Sequence, residues 1–227
     1  MKKLITALFA VALPLGVFAQ QNDTIAENRC NFNTPGWGES LGTVSFYTDN
    51  EWTIEGNGIF QIWSDAVTAT ACQKESFDGG YRDFTTGDHW GNHNFSADCR
   101  FNSGFPGDLF SWCAVVRFGD VLCPYPWRVP TRQDFRNLDL AMGGNGLPRT
   151  DLDFVQSNYL AIWGAIFGGS FNPRSGELQR QGFYARYWAQ TKSNIIRGFS
   201  LVVVSTGFIN PIVCEHKNNG FFVRCVR

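Results

Sequence analysis

The sequence predicts an α+β protein with an antiparallel sheet. Two helical patterns occupy the middle of the chain, at 131–142 and 150–162. Four strand-like segments follow, at 183–190, 198–206, 208–214 and 220–226. Helices followed by a run of strands favour this class, whereas alternating strands and helices would favour a parallel sheet.

The N-terminus, residues 1–19, predicts a cleaved signal peptide. Lys2 and Lys3 precede the apolar run LITALFAVALPLGVF, and Ala19 ends a small-residue cleavage site. The apolar run is too short for a comfortable membrane span, and no later segment is long and apolar enough to be a transmembrane segment. We therefore expect a protein that is secreted or held at the outer cell surface after cleavage near Ala19.

Composition argues against several classes of partner. Loss of Lys2 and Lys3 with the signal peptide changes the formal net charge from −1 to −3, and no basic cluster remains. A mildly acidic chain of this kind favours neither nucleic acid nor anionic membranes. Aromatic residues make up 15% of the chain, so either some of them lie at the surface or a β-rich core is unusually rich in Phe.

Residues 20–63 predict an N-terminal extension that ends in a β-hairpin. Its first part is polar and punctuated by Gly and Pro. In EWTIEGNGIFQIW, the turn sequence GNG separates two strands with alternating apolar residues. Residues 64–227 are expected to form the main domain, which would begin with a short helix at 64–73, capped by Ser64, and a loop over 74–111.

Both central helices begin with the spacing of a capping box. Thr131 with Asp134 starts the first helix, and Thr150 with Asp153 starts the second. The glycine-rich run 143–146 ends the first helix. The apolar stripes are Phe135, Leu138 and Met142 in the first helix, and Leu152, Val155, Tyr159 and Ile162 in the second.

The segment 123–135, CPYPWRVPTRQDF, predicts a rigid corner before the first helix. Its prolines fix φ and favour extended conformations in the residues that precede them. Trp127 is expected to enter the core, and Cys123 can tie the corner to a distant strand. The C-terminal strand carries Cys225, and a bond between the two would close a loop of roughly 100 residues, which contributes several kcal/mol in loop-entropy models.

Seven cysteines in an exported chain predict disulfide bonds and at least one unpaired thiol. No CxxC pair is present, which argues against a zinc knuckle or a dithiol redox site. We expect Cys72–Cys99 to fasten the long loop, because that loop has little apolar content. Cys214 ends a strand beside an exposed turn and is the expected free thiol, which leaves Cys30 with Cys113.

Five segments of the chain match the motifs of a known family. They are GDLFSWC (107–113), LCPYPWRVPTRQDFRNLD (122–139), AMGGNG (141–146), GFYARYWAQT (182–191) and NGFFVRCVR (219–227). Together they resemble the Fibrobacter succinogenes major paralogous domain family of exported bacterial proteins, found mostly in Bacteroidota. The pair CP-x-x-WRVPT and GF-x-VRCV is the most specific part of this resemblance.

The resemblance implies a C-type-lectin-like fold over 64–227, with two helices beside a small twisted antiparallel sheet. It implies the pairing of Cys123 with Cys225, which the two hallmark motifs carry. Family members are surface or secreted proteins without an assigned reaction. In related lectin-like domains the variable region precedes the C-terminal strand, which here corresponds to 184–218. The EPN, QPD and WND motifs of calcium-dependent lectins are missing from the sequence, so calcium-dependent sugar binding is not implied.

Motifs for catalysis or metal binding are weak. His89 and His93 have the spacing of helical metal ligands, but Gly91 and the lack of a helical period favour a solvated loop. No nucleophile elbow, P-loop or dinucleotide fingerprint is present. We therefore expect no metal, no cofactor and no catalytic centre.

The strongest candidate for function is a recognition surface. On the strand 184–190, alternation places Tyr184, Arg186, Trp188 and Gln190 on one face. Aromatic residues and Arg anchor recognition interfaces, and flat aromatics together with planar polar groups also suit sugar rings. The alternative is that one or both aromatics belong to the core. The expected ligand-binding residues are Tyr184, Arg186, Trp188, Gln190, Asn194, His216 and Lys217.

Three functions remain, in order of preference. The first is a secreted or cell-surface binding module, not an enzyme, that recognises a glycan or protein ligand at the cell surface. The second is a structural component of an envelope or extracellular assembly, in which strands at 43–63 mediate packing. The third is a carbohydrate-active enzyme, which would require a convergent pair of carboxylates. The sequence indicates neither a particular ligand nor an oligomeric state.

Overall fold

The computed structural model describes residues 44–45, 51–69, 99–100, 102–172, 175, 177–194 and 196–227. Its strands are β1 (Val44–Ser45), β2 (Trp52–Gly56), β3 (Ile59–Ala66), β4 (Thr68–Ala69), β5 (Cys99–Arg100), β6 (Leu109–Phe110), β7 (Arg149–Thr150), β8 (Ser170–Asn172), β9 (Glu177–Gln179), β10 (Tyr184–Lys192), β11 (Arg197–Val204), β12 (Phe208–His216) and β13 (Arg224–Val226). Its helices are α1 (Trp112–Arg117), α2 (Gly119–Leu122), α3 (Arg132–Ala141) and α4 (Leu152–Phe154). The predicted α+β class with antiparallel sheets is confirmed.

The largest sheet of the described residues has the strand order β10-β11-β12-β7, and its strand pairs are antiparallel. The first three of the four predicted strands are β10, β11 and β12, and their ends differ from the prediction by at most two residues. The fourth, predicted at 220–226, is the shorter strand β13. Consecutive residues Leu201, Val202 and Val203 of β11 are all buried, which means that both faces of this strand are covered. Helix α3 packs against the sheet on the β12 side.

A second sheet, of order β13-β3-β2, joins the predicted hairpin to the C-terminus. The hairpin turns at Asn57 and Gly58, whose φ values of 48° and 75° fit the turn that twisted strands favour. Strand β3 runs through to Ala66, so the short helix expected at 64–73 is wrong over its first residues. The boundary expected at 63/64 falls inside β3, and the hairpin packs on the rest of the chain.

Helix α3 confirms the first capping box. The hydroxyl of Thr131 accepts a hydrogen bond from the N–H of Asp134 at 3.3 Å, and the Asp134 carboxylate accepts one from the N–H of Thr131 at 2.7 Å. Phe135 and Leu138 are fully buried, as the stripe predicted, and Met142 packs on the core from outside. The two orphan donors at the helix start are therefore satisfied reciprocally.

The second helix lies where it was expected, but its cap and its stripe differ. Asp151 accepts the capping hydrogen bond in place of Thr150. Helix α4 continues as a π-helical turn, Val155–Leu160, after which the N–H of Trp163 donates to the carbonyl five residues earlier. The wider turn rotates the residues that follow, so Trp163 is buried while Ile162, predicted to face the core, is exposed. Leu152, also predicted to face the core, lies in the first turn of the helix and is exposed as well.

Helices α1 and α2 were not predicted. The hydroxyl of Ser111 caps α1 by accepting a hydrogen bond from the N–H of Ala114 at 3.1 Å. Trp112 at its first position is buried and donates from Nε1 to the carbonyl of Ala189 at 2.9 Å. None of the described helices is long and apolar enough to cross a membrane.

The segment 220–222 runs through the centre of the molecule. It forms isolated bridges with β6 at Phe110, with β8 at Phe171 and with β10 at Tyr187. This segment therefore holds three separate elements together. The core around it is aromatic, and its large fully buried rings are Trp63, Trp112, Trp163, Trp188, Tyr159, Tyr187, Phe110, Phe135, Phe171, Phe221 and Phe222.

The contact of the corner 123–130 with β13 joins two distant segments of the chain, and we call it the C-terminal joint. Cys123 and Cys225 form a disulfide bond with Cα atoms 5.6 Å apart and 102 residues of sequence separation. Arg128 and Val226 exchange backbone hydrogen bonds of 3.0 and 2.9 Å. The expected disulfide is present, and Trp127 is buried beside it.

Arg224 lies on β13, the strand of the C-terminal joint, next to Cys225, and is fully buried. Its Nε donates to the carbonyl of Ser64, and its Nη1 donates to the carbonyl of Trp163 at 2.6 Å. Its Nη2 lies 3.7 Å from a carboxylate oxygen of Asp65, and its guanidinium lies 4.3 Å from the ring centroid of Trp163. Burial lowers the pKa of Arg224 to about 10, so the side chain is charged at neutral pH.

The remaining cysteines divide into bonded and free. Cys99 and Cys113 are both disulfide-bonded. Cys30 and Cys72, their expected partners, lie outside the described residues, so those two pairings stay predictions. Cys214 is a free thiol, as expected, and its sulfur lies 3.2 Å from the hydroxyl oxygen of Ser193.

Candidate functional site

An open pocket of about 350 Å³ lies between the β8–β9 hairpin and the main sheet. We call it the hairpin pocket. Its volume is at the lower end of the range for small-molecule sites in proteins. Its lining combines two aromatic rings with amide, guanidinium and imidazole groups, from Ser170, Phe171, Asn172, Gln179, Arg180, Tyr184, Arg186, His216 and Asn219.

The β8–β9 hairpin forms one wall of the hairpin pocket. It is anchored at Phe171, which is buried and exchanges backbone hydrogen bonds of 2.9 and 3.0 Å with Gly220. On the same hairpin the side-chain amide of Asn172 donates to Oε1 of Gln179 at 3.2 Å. Gln179 in turn donates from Nε2 to the hydroxyl of Ser175 at 3.2 Å. This chain of hydrogen bonds holds two pocket amides in fixed orientations.

Strand β10 supplies the floor, with Tyr184 and Arg186 on one face as the alternation predicted. Nη1 of Arg186 donates to Oε1 of Glu215 at 2.6 Å. Its guanidinium also lies 4.8 Å from the ring centroid of Tyr184 and 5.2 Å from that of Phe221. The side chain of Arg186 is 19% exposed, so two rings and one carboxylate position it while part of it reaches solvent.

Arg180 occupies the turn between β9 and β10 with φ of 60°, a conformation that is uncommon for residues other than Gly. Its carbonyl accepts hydrogen bonds of 3.0 Å from the N–H groups of both Phe183 and Tyr184. This turn places the exposed guanidinium of Arg180 5.9 Å from the ring centroid of Tyr184. The backbone thus fixes the direction of a side chain that stays open to solvent.

Three of the expected ligand-binding residues, Tyr184, Arg186 and His216, meet in the hairpin pocket. Gln190 and Asn194 lie elsewhere. Gln190 is half-buried, and the exposed Asn194 accepts hydrogen bonds of 2.9 Å from the N–H groups of residues 196 and 197. Asn194 therefore orders its own turn.

Trp188 and Lys217 are not surface residues. Trp188 is fully buried, donates from Nε1 to the carbonyl of Phe110 at 2.9 Å and lies 4.3 Å from the ring centroid of Phe221. Lys217 is 5% exposed, with its ammonium 4.0 Å from the ring centroid of Trp112. The expectation of a surface position failed because Phe221 of the segment 220–222 packs on Trp188, and Trp112 of helix α1 packs on Lys217.

The pocket residues that the sequence did not suggest lie mostly on the β8–β9 hairpin. Each of its strands has three residues, too few for a visible period of alternation. The only available signal was the Gly168-Gly169 pair, which marked a change of structure without indicating a site. The missed residues are Ser170, Phe171, Asn172, Gln179, Arg180 and Asn219.

Within the part of the chain that the structure describes, no group of three or more His, Cys, Asp or Glu side chains could hold a metal ion. His89 and His93 lie outside the described residues. The chemistry of the hairpin pocket is that of hydrogen bonding, aromatic contact and positive charge.

The fold class is α+β, and an open pocket lined by polar and aromatic groups lies beside the main sheet. Comparison of the chain with family models, curated proteins and solved structures gives no significant match.

Proposed function

We propose that this chain is a secreted or cell-surface binding module that recognises a glycan or protein ligand without catalysing a reaction. The hairpin pocket is its ligand site. The observation that carries the proposal is the convergence of Tyr184, Arg186 and His216 with several amides in one open pocket. Sites of this kind place a few polar groups around aromatic surface, which fixes the orientation of a ligand.

We further propose membership of the Fibrobacter succinogenes major paralogous domain family, with a C-type-lectin-like fold. Support comes from the C-terminal joint, where the CP-x-x-WRVPT and VRCV motifs contact each other through the disulfide bond and the Arg128–Val226 backbone pair. The packing of α3 beside the antiparallel sheet is compatible with this fold. The family resemblance also places the variable region of relatives at 184–218, which includes three pocket residues.

Export to an oxidising compartment is consistent with the disulfide chemistry. Cys123, Cys225, Cys99 and Cys113 are all bonded, and disulfide bonds persist in secreted and cell-surface proteins. A ligand of the module is therefore to be sought among extracellular glycans and proteins.

The test is a binding screen with two matched variants. Residues 20–227, folded under oxidising conditions, are applied to a glycan array and used for pull-down from the native cell envelope. The pocket variant carries Gln179→Ala and Asn219→Ala, and the control carries Asn194→Ala, which lies outside the pocket. We expect the pocket variant to lose at least about tenfold in affinity and the control to retain wild-type binding.

The proposal fails if a bound ligand is retained equally by the wild-type protein and the pocket variant. Circular dichroism and thermal melting of all three proteins separate loss of binding from loss of folding. Binding to the glycan array identifies a glycan ligand, whereas capture of an envelope protein in the pull-down identifies a protein ligand.

A further inference from the structure

The charges around the hairpin pocket are unbalanced. The described residues that line it include two arginines and a histidine but no carboxylate. Glu215, next to the pocket, forms an ion pair with Arg186. One carboxylate can neutralise only one of the two guanidinium groups. The exposed Arg180 remains as an additional positive charge at the rim.

Both guanidinium groups contact the same ring. Arg186 lies 4.8 Å and Arg180 5.9 Å from the centroid of Tyr184. Two positive charges therefore flank one ring of the pocket, and both attract an anion that binds beside it. In addition, Nε of Arg186 is a buried donor without a hydrogen-bond partner among the described residues.

We propose that the hairpin pocket binds an acidic saccharide, a sugar that carries a carboxylate or a sulfate. This inference rests on the proposed binding function and names the ligand class of the same site. The anionic group lies against Arg180 and Arg186, since the planar guanidinium fork matches oxyanions with two parallel hydrogen bonds.

The amides account for the sugar part of the ligand. Asn172 and Gln179 are held on the hairpin by hydrogen bonds to each other and to Ser175. An amide presents both donors and an acceptor, which suits hydroxyl groups that act in both ways. A small inorganic anion would use the arginines alone and would leave these amides without a role.

The backbone conformation of Arg180 supports a functional role for its side chain. A residue other than Gly at φ of 60° costs free energy, and such residues are frequent at functional sites. Here the turn places the guanidinium of Arg180 at the rim of the pocket, next to Tyr184.

The experiment uses pairs of oligosaccharides that differ only in charge. Glycans containing uronic acid, sialic acid or sulfate are arrayed beside their carboxyl-reduced or desulfated counterparts. We expect binding to the acidic members and at least about tenfold weaker binding to the neutral counterparts. The carboxyl-reduced and desulfated arms distinguish the two sources of negative charge.

Two variants locate the effect. Arg180→Gln removes the rim charge and is expected to weaken binding to acidic glycans by about tenfold or more, with little change for neutral ones. Lys192→Gln removes one charge from an exposed residue at the far end of β10 and is expected to bind like wild type. Because Arg180 is exposed, its variant is expected to fold normally.

The outcomes separate this inference from the proposed function. Equal binding to acidic and neutral members of each pair, or an unchanged Arg180→Gln variant, overturns the acidic-saccharide inference and leaves a saccharide site. If no glycan of either set is retained and a protein is captured through the pocket, the ligand is a protein and the inference is wrong. If the pocket variant Gln179→Ala with Asn219→Ala has no effect on any ligand, both proposals fail.

Discussion

The C-terminal joint and the hairpin pocket both place arginine against aromatic rings, yet they are built for different purposes. In the joint, Arg224 is fully buried and donates to three backbone carbonyls, those of Ser64, Trp163 and Gly164. In the pocket, Arg186 keeps 19% of its side chain exposed and Arg180 is open to solvent. A guanidinium whose donors are used by the backbone is structural, whereas one with donors facing an open pocket is available to a ligand.

This difference determines what substitution should do in each region. Changes in the joint leave buried groups unsatisfied or release a long chain loop, so they should lower the free energy of unfolding. Changes in the pocket should affect binding and leave stability nearly unchanged. The predictions below test this division, beginning with the largest expected effect.

The disulfide bond of the joint should contribute most. Replacing both Cys123 and Cys225 by Ala releases a loop of 102 residues, and the free energy of unfolding should fall by about 4 to 5 kcal/mol. Chemical denaturation under oxidising conditions measures the loss. The matched control is Cys214→Ala, a free thiol, expected within about 1 kcal/mol of wild type. If the double variant loses less free energy of unfolding than the control, the disulfide bond does not stabilise the fold as proposed.

Arg224→Met should be nearly as severe, at about 3 to 4 kcal/mol. The apolar side chain cannot donate to the carbonyls of Ser64 and Trp163, and Asp65 loses the positive charge beside its carboxylate. Urea denaturation gives the difference. Arg224→Lys keeps the charge but lacks the guanidinium fork, and we expect an intermediate loss. Equal stability of the Met variant and wild type would contradict this account of the joint.

Strand β11, the neighbour of the pocket strand β10, tests the core behind the pocket. Leu201 is fully buried opposite Tyr187, so Leu201→Ala should cost about 3 kcal/mol. Lys192→Ala, at an exposed position of β10, should stay within about 0.5 kcal/mol of wild type. Thermal melting of the two variants makes the comparison, and equal melting temperatures would contradict the burial of this face.

The parts of the fold that were predictable depend on interactions within a few residues. The capping box of Thr131 and Asp134 and the turn at Asn57 and Gly58 are signals of this kind, because the hydrogen bonds they make are local. The π-helical turn before Trp163 was missed because the apolar stripe was assigned with the period of an α-helix. One additional residue per turn changes which residues face the core.

The candidate site was predictable only in part, for a related reason. Alternation correctly put Tyr184 and Arg186 on one face of β10. It could not indicate that the segment 220–222 covers Trp188, or that it pairs with β8 and brings the β8–β9 hairpin against β10. These pairings join residues far apart in sequence, and no local pattern encodes them.

Asp134, beside the joint, should make the free energy of unfolding depend on pH. The expected effect is smaller than those of the substitutions above. Burial alone would raise the pKa of Asp134, but hydrogen bonds from Arg128 and Thr131 outweigh it and hold the pKa below its ordinary value. A carboxyl with a lowered folded-state pKa stabilises the protein above the pKa of the unfolded chain. That contribution is lost as the pH falls through the folded-state value.

The corresponding variant is Asp134→Asn. At about pH 6 it should be less stable than wild type by about 1 to 2 kcal/mol, because charged hydrogen bonds are lost. Toward about pH 3 the difference should shrink, as the wild-type carboxyl takes up a proton. Urea denaturation at both pH values measures it, with the uncharged substitution Gln133→Ala as control. A difference that stayed constant over this range would contradict the role given to the Asp134 charge.

The smallest expected effect on stability is also the sharpest test of the comparison. Arg180→Gly removes the side chain and suits φ of 60° better than any other residue, so the protein should be equally stable or more stable by up to about 1 kcal/mol. Binding of acidic glycans should nevertheless fall, since the rim charge is gone. Arg180→Gln keeps the backbone cost and loses the charge, so it should lose binding without the gain in stability. If Arg180→Gly instead destabilises the protein as Arg224→Met does, Arg180 is structural and the distinction between the two regions fails.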